Sequence, residues 1–96
     1  MLEIRPSCEN CDKDLAPNAT DAMICTYECT YCSDCVTNVL HNVCPNCGGG
    51  FEKRPIRTTE HLQRHPAKKE RLHKPVVMAG FTLLREKLEG VPPNER

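Results

Sequence analysis

Tryptophan is absent, tyrosine and phenylalanine occur only twice each, and no long stretch is apolar. The shortage of aromatics limits the core. A chain of 96 residues buries a smaller share of its surface than a larger domain does, and few large side chains are at hand to compensate. The lack of a long apolar run excludes a membrane-spanning helix, which takes about 20 consecutive apolar residues. Net charge is missing too, 13 basic residues balancing 13 acidic ones, so no overall field draws the molecule to polyanions. The opening "MLEIRPSCEN" carries Glu3, Arg5 and Glu9 and has no signal-like apolar segment. The expected location is therefore cytoplasmic, where thiols stay reduced and clustered cysteines bind metal more often than they form disulfides.

Eight cysteines supply what the core lacks. They read Cys8-x2-Cys11-x13-Cys25-x3-Cys29-x2-Cys32-x2-Cys35-x8-Cys44-x2-Cys47. Two residues between cysteines let both sulfurs reach one metal while backbone N–H groups point at them. Eight sulfurs in four pairs make two tetrahedral sites, with none left over. Spacing alone permits a sequential pairing, a nested one with all of 25–35 on a single ion, and an interleaved one. Only the last makes each metal close a long loop locked by the other. Cys29-x2-Cys32-x2-Cys35 also opens like a bacterial ferredoxin run, but eight residues instead of three precede Cys44-Pro45. A site of four thiolates has no open coordination position, so it is structural and not catalytic. Without metal, residues 1–54 are expected to be unfolded.

Composition divides the chain into a cysteine-bearing head at 1–54, a basic segment with histidines and prolines at 55–75, and an amphipathic helix at 76–91. The head is acidic and the 53–75 segment basic, a split that thiolate-bound zinc would widen by a charge of about −2 per site. "LEIR" and "AMIC" read as short strands. Ser33 or Asp34 caps a helix carrying Val36, Val39 and Leu40 on one face. Gly48 to Gly50 form a turn, and Thr58 or Thr59 caps a short helix ending before Pro66. In the last helix Val77, Phe81, Leu84 and Leu88 form an apolar stripe that Gly90 terminates.

The order of the spacings, the proline in "CPNC" and a helix after the sixth cysteine resemble the RING-type zinc cross-brace, in an all-cysteine version. Still more closely, the chain resembles a bacterial family of small uncharacterised proteins that share Arg5-Pro6, Glu28-Cys29-Thr30, "CPNCGG" and Arg54-Pro55, over residues 1 to roughly 66. The resemblance implies a small zinc-stabilised α+β fold, a RING-like or treble-clef cross-brace followed by a C-terminal α-helix. It also implies two Zn²⁺, the first on Cys8, Cys11, Cys32 and Cys35 and the second on Cys25, Cys29, Cys44 and Cys47. Ubiquitin-ligase activity does not carry over. Glu9 and Asn10 stand where that surface needs an apolar residue, Gly48 stands where a basic one follows the last ligand, and no tryptophan is present.

The expected function is a non-catalytic zinc-binding module for an unidentified protein partner. Val77, Phe81, Leu84 and Leu88 offer either a partner or homodimer surface, or packing in cis. One alternative is a nucleic-acid-associated zinc protein using Arg54, Arg57, Lys68, Lys69, Arg71 and Lys74, against which stand the acidic head and the shortage of stacking aromatics. The plainer reading is a solvated linker, or a segment folded against its own acidic head. A further alternative is a redox- or zinc-responsive thiol switch. His61, His65 and Glu60 suggest a third metal site, but Pro66 ends that helix at once. His41 reads as a surface residue beside the cysteines.

Overall fold

The computed structural model describes residues 1–96. Its centre is a three-stranded antiparallel sheet in the order β2-β1-β3, formed by β1 (Ala22–Ile24), β2 (Thr30–Cys32) and β3 (Glu52–Lys53). Met23 lies opposite both Tyr31 and Lys53, so β1 is the middle strand. The β1–β2 connection is the Cys25–Cys29 knuckle, where Glu28 takes a left-handed conformation (φ 64°). Every residue of β2 is buried. This places Tyr31 edge-to-face on Phe51, ring centroids 5.4 Å apart, a pairing that adds about 1 kcal/mol to simple burial.

Helix α1 (Ser33–Cys35) runs into a π-helical turn at Val36–Leu40. The N-cap is Cys32, without a side-chain cap, and not Ser33 or Asp34 as expected; the Ser33 N–H bonds the Asp21 carbonyl instead. His41 and Asn42 then turn left-handed, both returning their N–H groups to the Val36 carbonyl, and redirect the chain towards Cys44. As expected, Val36 and Leu40 point inward with Val39 packed beside them. Helix α2 (Thr59–Arg64) is capped by Thr58, whose Oγ1 accepts the His61 N–H, and it stops before Pro66. "LEIR" is not a strand. Its carbonyls go elsewhere: Leu2 accepts from Arg57, Ile4 from the Lys68 N–H and Arg5 from Arg54.

The core holds 14 residues, six of them cysteines. Apolar burial in so small a set cannot by itself offset the entropy of ordering the head, so the sulfurs must contribute more than packing. Helix α3 (Met78–Leu88) lies against this core through Phe81, 5 % exposed, with Leu84 and Leu88 half-buried beside it. Three members of the expected stripe thus pack in cis. Val77 does not: it precedes the first helical turn and is 75 % exposed. The glycine run does more than turn the chain. A Cβ on Gly48 would meet Leu88 Cδ1 at 2.9 Å, and one on Gly50 would meet Pro93 Cγ at 2.7 Å. Arg96 fixes the same corner, its Nη1 donating to the Asn42 and Gly48 carbonyls at 2.8 and 3.1 Å.

Arg54 is not a surface contact for phosphates. It is 1 % exposed, and its guanidinium donates to the carbonyls of Arg5 (2.8 Å), Ala16 (2.9 Å) and Leu15 (3.4 Å). Burial lowers its pKa, which Asp21 partly opposes. Arg54→Met leaves those carbonyls without a donor, so we expect a loss of about 3 kcal/mol in urea denaturation. The exposed control Lys69→Met should stay within about 0.5 kcal/mol of the parent. Equal midpoints for the two variants would show that the carbonyl cage is not what Arg54 secures.

Candidate metal centre

Three of the cysteine pairs sit on tight turns closed by their own backbone, and the Cys32–Cys35 pair spans the junction of β2 and α1. In the first knuckle the Asp12 N–H bonds the Cys8 carbonyl and the Cys8 N–H bonds the Lys13 carbonyl, with Asp12 left-handed (φ 63°). In the last knuckle the Gly48 N–H returns to the Cys44 carbonyl, with Gly48 at φ 75°. These turns bring cysteines distant in sequence together. Cys8, Cys11, Cys32 and Cys35 have all their sulfurs within 4.8 Å of one another, and so do Cys25, Cys44 and Cys47. Cys29 stands beside the second group, where its charge and that of Cys25 both act on Cys44. The grouping is the interleaved one.

Hydrogen-bond donors face the sulfurs. Main-chain N–H groups of Cys11, Tyr27 and Gly49 point at Cys8, Cys25 and Cys47 at 3.5, 3.3 and 3.4 Å. Asn10 Nδ2 donates to Cys35 Sγ at 3.3 Å, and Asn46 Nδ2 donates to Cys29 Sγ at 3.4 Å. Both asparagines hold the same place in "CENC" and "CPNC", each reaching a sulfur of another pair. Such donors favour the thiolate. Burial acts the other way and pushes the thiols of Cys29, Cys32, Cys35 and Cys44 up. At Cys11 burial is outweighed by bonds from Lys13, Cys8, Cys32 and Cys35, and its pKa is lowered. Buried sulfurs of this kind ionise when a cation takes the place of their protons. The arrangement therefore suits a metal ion, held less tightly as pH falls and protons compete for the sulfurs.

Sequence reasoning missed Glu9. Between two cysteines it reads as part of an acidic surface, yet it is 3 % exposed. Its Oε2 accepts the Thr30 N–H at 2.5 Å and Arg5 Nη1 at 2.7 Å, while its own N–H bonds the Thr30 carbonyl. The carboxylate ties the first knuckle to β2. The signal was Arg5 four residues ahead, an ordinary i,i+4 pairing distance that is used here without a helix.

The remaining candidates fall on the segment after the head, which proves to be a strap. The Lys68 and Lys74 N–H groups bond the Ile4 and Glu9 carbonyls. Arg71 donates to Asp14 Oδ1 at 2.7 Å, to Asp12 Oδ1 at 3.2 Å and to the Asp12 carbonyl. The side chain of Lys68 lies 3.6 Å from Glu3. Arg57 is committed to the Leu2 and His65 carbonyls, and Lys69 and Lys74 are exposed. Of the histidines, His41 Nδ1 lies 2.7 Å from Glu89 Oε2 and His73 Nε2 lies 3.1 Å from the Asn10 carbonyl. His61 and His65 are exposed on and just after α2. No helix is long and apolar enough to cross a membrane.

Residues 1–57 match the family described as "Protein of unknown function (DUF1272)". An uncharacterized protein of Rhizobium meliloti (strain 1021) is 51 % identical over 75 residues, 78 % of this chain and 89 % of that protein. No solved structure matches.

Glu9 separates charge from hydrogen bonding. Glu9→Gln keeps an acceptor for the Thr30 N–H and should cost about 1 kcal/mol in urea denaturation. Glu9→Leu strands both donors and should cost about 3 kcal/mol. Should the two variants lose the same amount, the acceptor role assigned to Glu9 would be wrong.

Proposed function

Because the chain belongs to the DUF1272 family, whose description assigns no activity, its function has to be argued from the site, and we propose a RING-like protein-interaction module built on two structural zinc ions and without catalysis of its own. The observation that carries this reading is the sulfur geometry. Tetrahedral zinc with Zn–S bonds of 2.3 Å places its sulfurs about 3.8 Å apart. Cys11 and Cys32 Sγ, from opposite pairs of the first group, are 3.7 Å apart. An iron–sulfur cluster allows such a distance only between two cysteines on one iron, whereas all four sulfurs of the first group lie within 4.8 Å of one another, as around a single ion. The soft, all-sulfur donor set with N–H groups directed at it fits zinc equally well.

In this reading Cys8, Cys11, Cys32 and Cys35 hold the first ion, and Cys25, Cys29, Cys44 and Cys47 hold the second. Zinc neutralises sulfurs that burial otherwise keeps protonated and crosslinks loops that the small core cannot close. Four thiolates leave no coordination position for water or substrate, which argues for structure over catalysis.

An interaction role is supported by apolar surface that remains uncovered. Val77 and Leu83 are exposed on and beside α3. A groove of about 260 Å³ runs between that helix and the last knuckle, lined by Tyr31, Pro45, Asn46, Val77, Phe81 and Leu84 among others. Contacts through Val77 and Leu83 leave Phe81 and Leu88 to the protein's own core. The basic segment supports nucleic-acid binding less well, since Arg54, Arg57, Lys68 and Arg71 already serve groups of their own chain.

Native mass spectrometry of the reduced full chain tests the metal assignment, with two zinc ions per chain expected. Removing them with a strong chelator should abolish the dispersed amide spectrum of the head, and adding zinc should restore it. Iron with inorganic sulfide, or a metal-free chain that keeps its dispersion, would overturn the reading.

A further inference from the structure

We propose that the two centres are unequal: the second is an exchange site whose metal enters and leaves past Cys29 and Cys47, while the first keeps its metal. The inference rests on the zinc reading above and concerns what controls each ion. Exposure alone does not distinguish the centres, because each has one exposed sulfur, Cys11 in the first and Cys47 in the second. Three other features do.

The sulfurs are not equally gathered. All four of the first group lie within 4.8 Å of one another, whereas only Cys25, Cys44 and Cys47 do so in the second. Cys29 is the outlier: it stays beside Cys25 and carries the same kind of donor as Cys35, Asn46 Nδ2 at 3.4 Å, but it is not gathered with Cys44 and Cys47. The local chain explains the offset. The Cys25–Cys29 knuckle has three intervening residues where the other pairs have two, and Glu28, next to Cys29, takes the left-handed turn that absorbs the extra one. A fourth ligand on the longest knuckle is the one that detaches with least disturbance to the rest.

The covers differ as well. The strap lies across the first knuckle: the Lys74 N–H bonds the Glu9 carbonyl, the Val76 N–H bonds Asn10 Oδ1 at 2.9 Å, and Arg71 holds Asp12 and Asp14. Asn10 passes this restraint to the metal site through its bond to Cys35 Sγ. The strap thus restrains the knuckle that carries the first centre, although Cys11 itself stays exposed. Cys29 and Cys47, by contrast, line an open groove of about 530 Å³ whose walls include Arg5, Tyr27, Asn46, Leu72 and Lys74. Tyr27, on the lip, is 73 % exposed.

The groove also has a chemical preference. Cys29 and Cys47 both line the groove, so a ligand arriving there would reach the site as Cys29 detaches. Arg5 is paired with Glu9 on the same groove, so Lys74 supplies the passage's cationic side chain, which suits an anionic ligand such as a thiolate or an aminocarboxylate. The cargo suited to this site is a soft, thiophilic cation.

The test uses the zinc-loaded, reduced full chain mixed with excess of a chromogenic pyridylazo chelator, followed by absorbance and time-resolved native mass spectrometry. Two phases of equal amplitude are expected, separated by about tenfold or more, with a one-zinc species between them. Alkylating that species with N-ethylmaleimide and mapping its peptides should label Cys25, Cys29, Cys44 and Cys47. Cys29→Ser should speed the fast phase alone, and Arg71→Glu, which sets a like charge against Asp12 and Asp14 and so repels the strap from the first knuckle, should speed the slow phase alone. Simultaneous loss of both ions, or first labelling at Cys8, Cys11, Cys32 and Cys35, would overturn the inequality and leave the zinc reading standing. A chain that carries no zinc at the outset would overturn both.

Discussion

Closing the head means holding sulfurs from distant parts of the sequence in two small volumes, and every other element is arranged around that demand. Cys8 and Cys11 meet Cys32 and Cys35 only if the chain from 12 to 31 doubles back, and it does so as the β1–β2 hairpin. Cys25 meets Cys44 and Cys47 only if α1 and its π-helical extension return the chain across the same sheet. The two closures share β2: Cys32 ends it in one group while Cys29, just before it, stands beside the other. Neither loop can open without disturbing the strand between them. Thiols packed this closely, and mostly buried, repel one another once ionised, so the arrangement asks for a cation at each centre.

A second constraint follows from how little regular structure surrounds the sulfurs. Strands of two or three residues and irregular connections leave many carbonyls without a ladder partner, and buried carbonyls need donors. Arginine supplies them. Arg54, Arg57, Arg71, Arg85 and Arg96 each donate to at least one main-chain carbonyl, and Arg54 and Arg96 to three apiece. The planar, multi-donor guanidinium suits this better than the point charge of lysine. The acidic head and basic neck, which composition shows as two opposed blocks, thus become one folded unit in which much of the basic charge is spent internally.

How much was legible in the sequence depends on whether a feature is local. The cysteine pairs, the Thr58 cap and the stop before Pro66 are fixed by residues a few positions apart, and they stand where the pattern put them. The interleaving could not be read from spacing; it came from resemblance. Arg54 as a buried donor, Glu9 as a buried acceptor and the docking of Leu88 and Pro93 on Gly48 and Gly50 depend on residues 21 to 49 positions distant, which periodicity cannot reach. "LEIR" misled because an apolar and polar alternation is also what a segment shows when Ile4 is buried and its carbonyls are taken by side chains. Val77 misled because helical spacing was extended one residue beyond the helix.

The strap then acquires a reason for its composition. Its anchoring points, Ile4, Glu9, Asn10, Asp12 and Asp14, all lie within residues 1–57 that match the family, and all but Ile4 lie on or just after the first knuckle. The likeness to the Rhizobium protein spans 75 residues and so extends past that stretch. A segment rich in charge, with prolines at 66 and 75 that forbid a continuous helix, cannot build a core of its own. It can lie extended across acidic loops, matching Lys68 to Glu3 and Arg71 to Asp12 and Asp14. Such exposed pairs are individually weak and screened by salt. The strap is therefore held by register, by main-chain bonds at its two ends and by Phe81 in the core beyond, more than by charge. The strap crosses the first knuckle with main-chain bonds and, through Leu72 and Lys74, supplies only side-chain walls to the groove at Cys29 and Cys47 before α3 enters the core.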